Sequence, residues 1–213
     1  MTRAESGNTS RRTYHSPQRE RQAQETRRRI LEAARRLFRT AGYAGTTLDR
    51  IAEEAGVSSK TISAAYGSKV GILAALVLPT SGRGQAAIEE VRETAEPARR
   101  VERVAELCAT VYGELTPEFE LLRGAGTLAP ELGQLARQIE ERRRANGTRL
   151  IAYLAEQGAL HAGLEADEAG DILWTLTGYD AYRALVVERG WLPARYTAWL
   201  TRLLRAELLT AGE

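Results

Sequence analysis

Five side chains able to hydrogen-bond an anion fall within six consecutive positions: Ser58, Ser59, Lys60, Thr61 and Ser63. Hydroxyls and an ammonium at this density suit a phosphate backbone and the acceptor-rich edges of bases. Lys60 has the reach for guanine O6 or N7, whereas Ala64 offers only a methyl contact, for instance to thymine. Other chemistries are poorly supplied. The chain has one cysteine, Cys108, and two histidines, His15 and His161, none with a partner at metal-ligand or triad spacing. The run Gly124-x-Gly126-x-x-Ala129 matches a dinucleotide fingerprint in outline. That motif needs a preceding strand in a βαβ unit, and here it follows a helical pattern. No nucleophile, metal set or acid–base pair marks an enzyme, and no cofactor is expected.

The elements that must position these groups are legible around them. The stretch 48–67, LDRIAEEAGVSSKTISAAYG, has the spacing of a helix-turn-helix. Ile51, Ala52 and Ala55 face inward on a first helix, and Gly56 supplies the turn, where a left-handed backbone needs no Cβ. Val57, Ile62 and Ala65 form the inner face of a second helix, so Ser58, Ser59, Lys60, Ser63 and Ala64 point outward, toward a DNA major groove. Thr46 and Thr47 precede the first of these helices, with Thr46 and Asp49 at capping-box spacing. Gly67 closes the second, and Ser68 caps a further helix over 69–78. An earlier helix runs from about Gln24 to Ala41 on a stripe of Ile30, Ala34, Leu37, Phe38 and Ala41, ending at Gly42 and Tyr43.

The whole chain of 213 residues is 43% hydrophobic, lacks strand patterning and is rich in Ala, Leu, Glu and Arg. An all-α fold follows, with an N-terminal helix-turn-helix domain and a C-terminal helical bundle. Residues 1–21 are polar, basic and aperiodic, and read as a disordered arm that either reaches DNA or stays a solvated tail. The DNA-binding domain takes 22–78, PTSGRG at 79–84 is a linker, and 85–213 forms the second domain. Its helical segments fall at about 85–95, 98–114, 117–126, 131–158, 166–189 and 193–210. There is no signal-peptide core and no apolar run of membrane-spanning length, so a cytoplasmic location without a membrane partner is expected. Charge is divided unevenly. Residues 1–76 carry 14 Lys+Arg against 7 Asp+Glu and the remainder 16 against 21, net +7 and −5 within a total of +2. A basic patch on a helix-turn-helix is the electrostatic footprint of a nucleic-acid partner.

The last two segments have broad apolar faces joined by a short Gly-Trp-Leu-Pro connection. Tyr182, Leu185 and Val186 on one, and Tyr196, Trp199, Leu200 and Leu203 on the other, suit a four-helix interface between two copies. Core packing within one copy is the alternative. The run Arg142–Arg144 reads as a solvated helix face.

Residues 27–77, RRRILEAARRLFRTAGYAGTTLDRIAEEAGVSSKTISAAYGSKVGILAALV, resemble the DNA-binding domain of the tetracycline-repressor (TetR) family of transcriptional regulators. The matching marks are the Gly-Tyr turn, the Thr-Thr pair, the Ile-Ala…Ala-Gly-Val-Ser core and the Gly-Ser-Lys opening of the next helix. The resemblance implies a homodimer on a double-stranded DNA operator, and a C-terminal domain in which a small-molecule effector changes the separation of two recognition helices. Repression, relieved by the effector, is the family default. On this reading Thr46, Thr47, Ser63, Tyr66 and Lys69 contact or orient phosphates, while Ser58, Ser59, Lys60, Thr61 and Ala64 face bases. Tyr66 is equally suited to closing the domain core. The family usually carries Tyr where this chain has Ser63, which weakens side-chain readout and shifts weight to DNA shape. An effector pocket is expected among Cys108, Tyr112, Leu122, Arg123, Ile151, Leu154, Trp174 and Tyr179, with Arg123 either a partner for an acidic ligand or a solvated or salt-bridged arginine. A helical small-molecule-binding or interaction protein that binds DNA only weakly and non-specifically is the alternative function.

Overall fold

The computed structural model describes residues 17–78, 83–125 and 129–210. Among them the elements are α1 (Pro17–Ala41), α2 (Leu48–Ala55), α3 (Ser59–Tyr66), α4 (Lys69–Val77), α5 (Arg83–Glu93), α6 (Pro97–Ala125), α7 (Pro130–Glu156), α8 (Ala166–Leu176), α9 (Tyr179–Tyr182), a π-helical turn (Arg183–Glu188) and α10 (Pro193–Leu208). The only extended pairing among the described residues is an isolated antiparallel bridge, Leu160–Leu209.

Three short helices near the N-terminus owe their starts to hydroxyl caps. Thr47 Oγ1 accepts from Arg50 N–H, Ser58 Oγ from Thr61 N–H and Ser68 Oγ from Gly71 N–H, so each helix has one of its orphan donors satisfied. The cap of α2 is therefore Thr47, one residue beyond the expected Thr46. Gly56 takes φ +63° between α2 and α3, as the turn requires. Ile30, Ala33, Ala34, Leu37 and Phe38 of α1 pack with Ile51, Ala52, Ala55, Ile62, Ile72 and Leu73. Ala65, expected on the inner face of α3, is exposed, because Ile62 alone fills the contact there. The first helix begins at Pro17, earlier than expected, so residues 17–21 of the anticipated arm are helical. The arm's remainder, and residues 79–82 of the anticipated linker, lie outside the described residues; 83–84 open α5.

A longer-range architecture governs the other half. The two expected segments, 98–114 and 117–126, meet at a kink within the span of α6. Leu115 has non-helical φ −113° and ψ 15°, two residues before Pro117. Proline removes an N–H and its ring crowds the preceding turn, which kinks the helix. Thr116 Oγ1–H bonds back to Tyr112 O at 2.6 Å, a back-bond that favours the same bend. The expected 166–189 helix is instead broken at Thr177–Gly178 and continues as α9 and the π-helical turn. Two side chains take up the carbonyls freed at that break. Arg143 donates to Trp174 O at 2.5 Å and Tyr112 Oη–H to Thr177 O at 2.7 Å. Arg143 is thus the cap of α8, held also by Glu140 at 2.6 Å, and its side chain is only 19% exposed. The reading of Arg142–Arg144 as a uniformly solvated face is corrected at this residue.

Helix α10 lies along α6 and α8 and fills the C-terminal core with Tyr196, Leu200, Leu204 and Leu208. These four share one face at a spacing of four residues. Tyr182 is buried against Tyr196, their rings 5.0 Å apart edge to face. Three residues expected at an interface between copies, Tyr182, Tyr196 and Leu200, are therefore core within one copy. Leu185, Val186 and Trp199 are half-buried against this core and Leu203 is half-buried, while Val187 and Leu192 are exposed, Leu192 by 73%.

Candidate nucleic-acid interface

The outward surface of the helix-turn-helix is built from α3 and the ends of its neighbours. Ser58, Lys60, Thr61, Ser63 and Ala64 are exposed, and Ser59 is half-buried. Their freedom differs. Ser58 and Thr61 are hydrogen-bonded to each other at 2.8 Å, and Ser58 also caps the helix, so both hydroxyls are largely occupied. Ser59 Oγ–H donates to the Asp49 carboxylate, which ties α3 to α2. Asp49 carries no sequence signal for this role beyond its place in the first turn of α2. Lys60 is exposed and Ser63 has its hydroxyl outward, with only a small Ala64 beside them.

Four further residues fare differently from one another. Thr47 is exposed at the start of α2, where backbone N–H groups and the helix dipole favour an anion. Thr46 is fully buried and its Oγ1 donates to Gly42 O at 2.8 Å. Its expected phosphate contact is thus corrected: the hydroxyl closes the turn after α1. Tyr66 is half-buried against the N-terminal core, with its phenol pushed up in pKa by burial, so the core-closing alternative describes its ring. Lys69 Nζ donates to Tyr43 O at 2.7 Å and sits 4.4 Å from the centre of the Tyr43 ring. An ammonium has two donors left in that arrangement.

Sequence reasoning missed a close approach that fixes this surface. A Cβ on Gly71 would stand 1.9 Å from Tyr66 O, so α4 starts directly against the end of α3. Gly71 sat inside a helical pattern, which gave no sign of contact with the preceding helix.

Below this unit a cavity of about 850 Å³ lies among α4, α5, α6, α7 and α8. Of the expected pocket residues Cys108, Tyr112, Ile151 and Trp174 line it. The others do not, for separate reasons. Leu122 belongs to the N-terminal core, and Leu154 is fully buried in the C-terminal one. Arg123 is exposed and pairs with Asp180 at 3.3 Å, so it is no buried partner for a ligand. Tyr179 stacks on Phe119 at 4.9 Å and donates to Glu120. The Cys108 thiol is pushed up to about 12 by burial, opposed by Arg143, so it is a neutral wall atom at ordinary pH. Residues from the DNA-binding helices also reach the cavity: Leu76 and Val77 of α4, and Arg35 of α1. Arg35 Nε–H donates at 2.8 Å to Glu118 Oε1 beside the α6 kink. Glu118 is 2% exposed, and its other oxygen is buried without a partner. Among the described residues no group of three or more His, Cys, Asp or Glu could hold a metal, and no helix is long and apolar enough to cross a membrane.

Comparisons with known proteins agree with this geometry. Residues 30–76 match the family model described as bacterial regulatory proteins, tetR family. The chain is 25% identical over 167 residues to the uncharacterized HTH-type transcriptional regulator YvkB of Bacillus subtilis (strain 168), covering 77% of this chain and 86% of that one. A TetR transcription regulator from Haloarcula marismortui ATCC 43049 superimposes with a TM-score of 0.66 at 23% identity, covering 87% of this chain and 99% of that one. A transcriptional regulator from Saccharomonospora viridis, solved in complex with choline, does so with a TM-score of 0.64 at 25% identity, covering 88% and 100%. The helix-turn-helix, its matched family model and the shared helical C-terminal half converge: residues 30–76 form a DNA-binding domain of the tetR-family type, in a chain similar over most of its length to an HTH-type transcriptional regulator and sharing the fold of a TetR transcription regulator.

Proposed function

We propose that this regulator is a dimeric cytoplasmic repressor, released from its operator when a small molecule occupies the cavity beneath the helix-turn-helix. The observation that carries the reading is the make-up of the cavity wall: Leu76, Val77 and Arg35 belong to the helices that hold the recognition helix, so whatever fills the cavity touches the DNA-binding half directly. The choline complex of the similar Saccharomonospora viridis regulator supports a small organic ligand in such a fold. Two copies would meet through the exposed Leu192 and Val187 and the half-buried Val186, Trp199 and Leu203. Their recognition helices would have to sit roughly 34–36 Å apart to enter successive major grooves, so a small change of separation suffices for release. Ligand and operator affinities are then coupled reciprocally.

Within each copy Lys60 and Ala64 face the bases, with Ser58, Ser59 and Thr61 shaping the helix that carries them. Thr47, Ser63, Lys69 and the phenol edge of Tyr66 lie toward phosphates. The small Ser63–Ala64 face leaves much of the specificity to DNA shape. The test is selection of an operator from random duplex by the full-length chain, followed by salt titration of the complex. A selected site with two half-sites, and a salt slope lowered by about one in each of Lys60→Ala and Lys69→Ala, is the expected result. Binding no tighter than to random duplex at physiological salt would refute sequence-specific regulation.

A further inference from the structure

The charges around the cavity limit what it can take. Its deep walls are apolar, with Val104, Val111, Leu115 and Ile151 among them, and its volume suits a ligand of drug-like size. The charged lining is unbalanced: seven arginines against Glu114, Asp167 and Asp171; the three acids are exposed, as are Arg92, Arg142, Arg144 and Arg149, which leaves Arg35, Arg100 and Arg143 as the half-buried charges of the wall. Glu140 offsets Arg143 and Glu89 offsets Arg92. Arg100, Arg142, Arg144 and Arg149 have no carboxylate partner within ion-pair distance among the described residues; Arg144 lies instead over the Trp174 ring. A guanidinium does not give up its proton, so this lining favours an anion and penalises an ammonium, the more so where the walls exclude water.

Arg35 is the one arginine of the seven that comes from the DNA-binding helices. Its bond to Glu118 uses a single N–H, leaving the Nη groups with no acceptor among the described residues. Glu118 is worse placed: it is buried, and no donor reaches its second oxygen. The pair is half-made on both sides, with spare donors on the residue that lines the cavity and no reserve on the one that does not.

Resting on the effector reading above, we propose that the effector is a largely apolar molecule bearing one carboxylate-like anion, and that Arg35 receives that anion. A ligand carboxylate competes with Glu118 for the guanidinium. Glu118, losing its only partner in a buried setting, then disfavours the present seating of α6 against α1. One side chain thereby selects the ligand by charge and reports its arrival to the DNA-binding half.

Calorimetric titration of the full-length chain with decanoate, 1-decanol and decylammonium, each below its micellar or solubility limit, tests this. Decanoate is expected to bind at least about tenfold more tightly than decanol, as a charge-assisted pair implies, with decylammonium weakest. In Arg35→Gln the preference for decanoate should shrink to within about threefold while decanol binds as before. Decanol or decylammonium matching decanoate, no heat from any of the three, or an Arg35→Gln chain that keeps the preference would each overturn the proposal. Should Arg35→Gln fail to fold, the wild-type ranking still decides, and Arg35→Lys should give an intermediate preference because it keeps the charge and loses the fork. Decanoate that binds without weakening the selected operator complex would leave the ligand class standing and defeat the release mechanism.

Discussion

The two halves of this chain are stabilised by different kinds of contact. The N-terminal unit is assembled from local devices: a hydroxyl at the start of each of α2, α3 and α4, a left-handed Gly56 at the turn, and a small apolar core around Ile51 and Ile62. The C-terminal half is held by side chains that reach across the fold to repair broken helices. Arg143 on α7 caps α8, and Tyr112 on α6 bonds the carbonyl of Thr177. The contrast teaches that the DNA-reading surface is shaped by short-range devices, even though Leu122, Leu132 and Leu135 complete its core from the other half, whereas the helices of that other half depend on long-range side-chain bonds.

The sharpest way to break the comparison is to spoil the N-terminal module at one atom. Gly71→Val places a branched side chain where even a Cβ would collide with Tyr66 O, and should cost about 3 kcal/mol or more. Urea unfolding should show the loss, and operator binding should vanish with it. A variant of wild-type stability would mean that α3 and α4 are not in the contact described. Next comes the long-range half. Arg143→Ala removes the cap of α8 and should cost about 2 kcal/mol by leaving the Trp174 carbonyl short of a donor. Trp174 emission should shift, since its indole N–H shares Glu140 with Arg143, while DNA affinity per folded molecule stays level. Equal damage to DNA binding would show that the halves are not separable.

The smallest effect concerns the rim of the C-terminal core, where Glu102 pairs with Arg99 on its own helix and with Arg205 on α10. The Arg99 hydrogen bond holds its carboxyl below the usual value of 4.5, with Arg205 adding to the effect against a desolvation that opposes it. A carboxyl lowered on folding stabilises above its unfolded pKa and loses that contribution as pH falls through the folded one. Glu102→Gln should therefore cost about 0.5 kcal/mol at neutral pH, partly exposed as the pair is, and nothing once pH is well below 4.5. Thermal melts at pH 7 and pH 3 check both the size and the sign.

How much of this was legible in the sequence follows the same divide. Gly56 and Ser68 announce the module because each acts on residues within three or four positions, and the short range makes the spacing diagnostic, whereas the cap at Ser58 was hidden among the outward hydroxyls. Thr46 misled by one residue, since adjacent threonines offer the same hydroxyl and only the fold decides which one turns inward. Farther down the chain, Pro117 marks a real break in the helical path, because a proline acts on the turn just before it, and Leu115 leaves helical geometry there. Arg143 was hidden in a basic run whose neighbours are exposed, and its partners lie some thirty residues away. Tyr182, Tyr196 and Leu200 are apolar enough for an interface or a core, and only the seating of α10 on α6 and α8 distinguishes the two.

The contact between Gly71 and the carbonyl of Tyr66 has a mechanical consequence. With no clearance at that joint, α3 and α4 cannot close further on one another, so on the effector reading a push delivered to Leu76 or Val77 would have little slack to cross before the recognition helix.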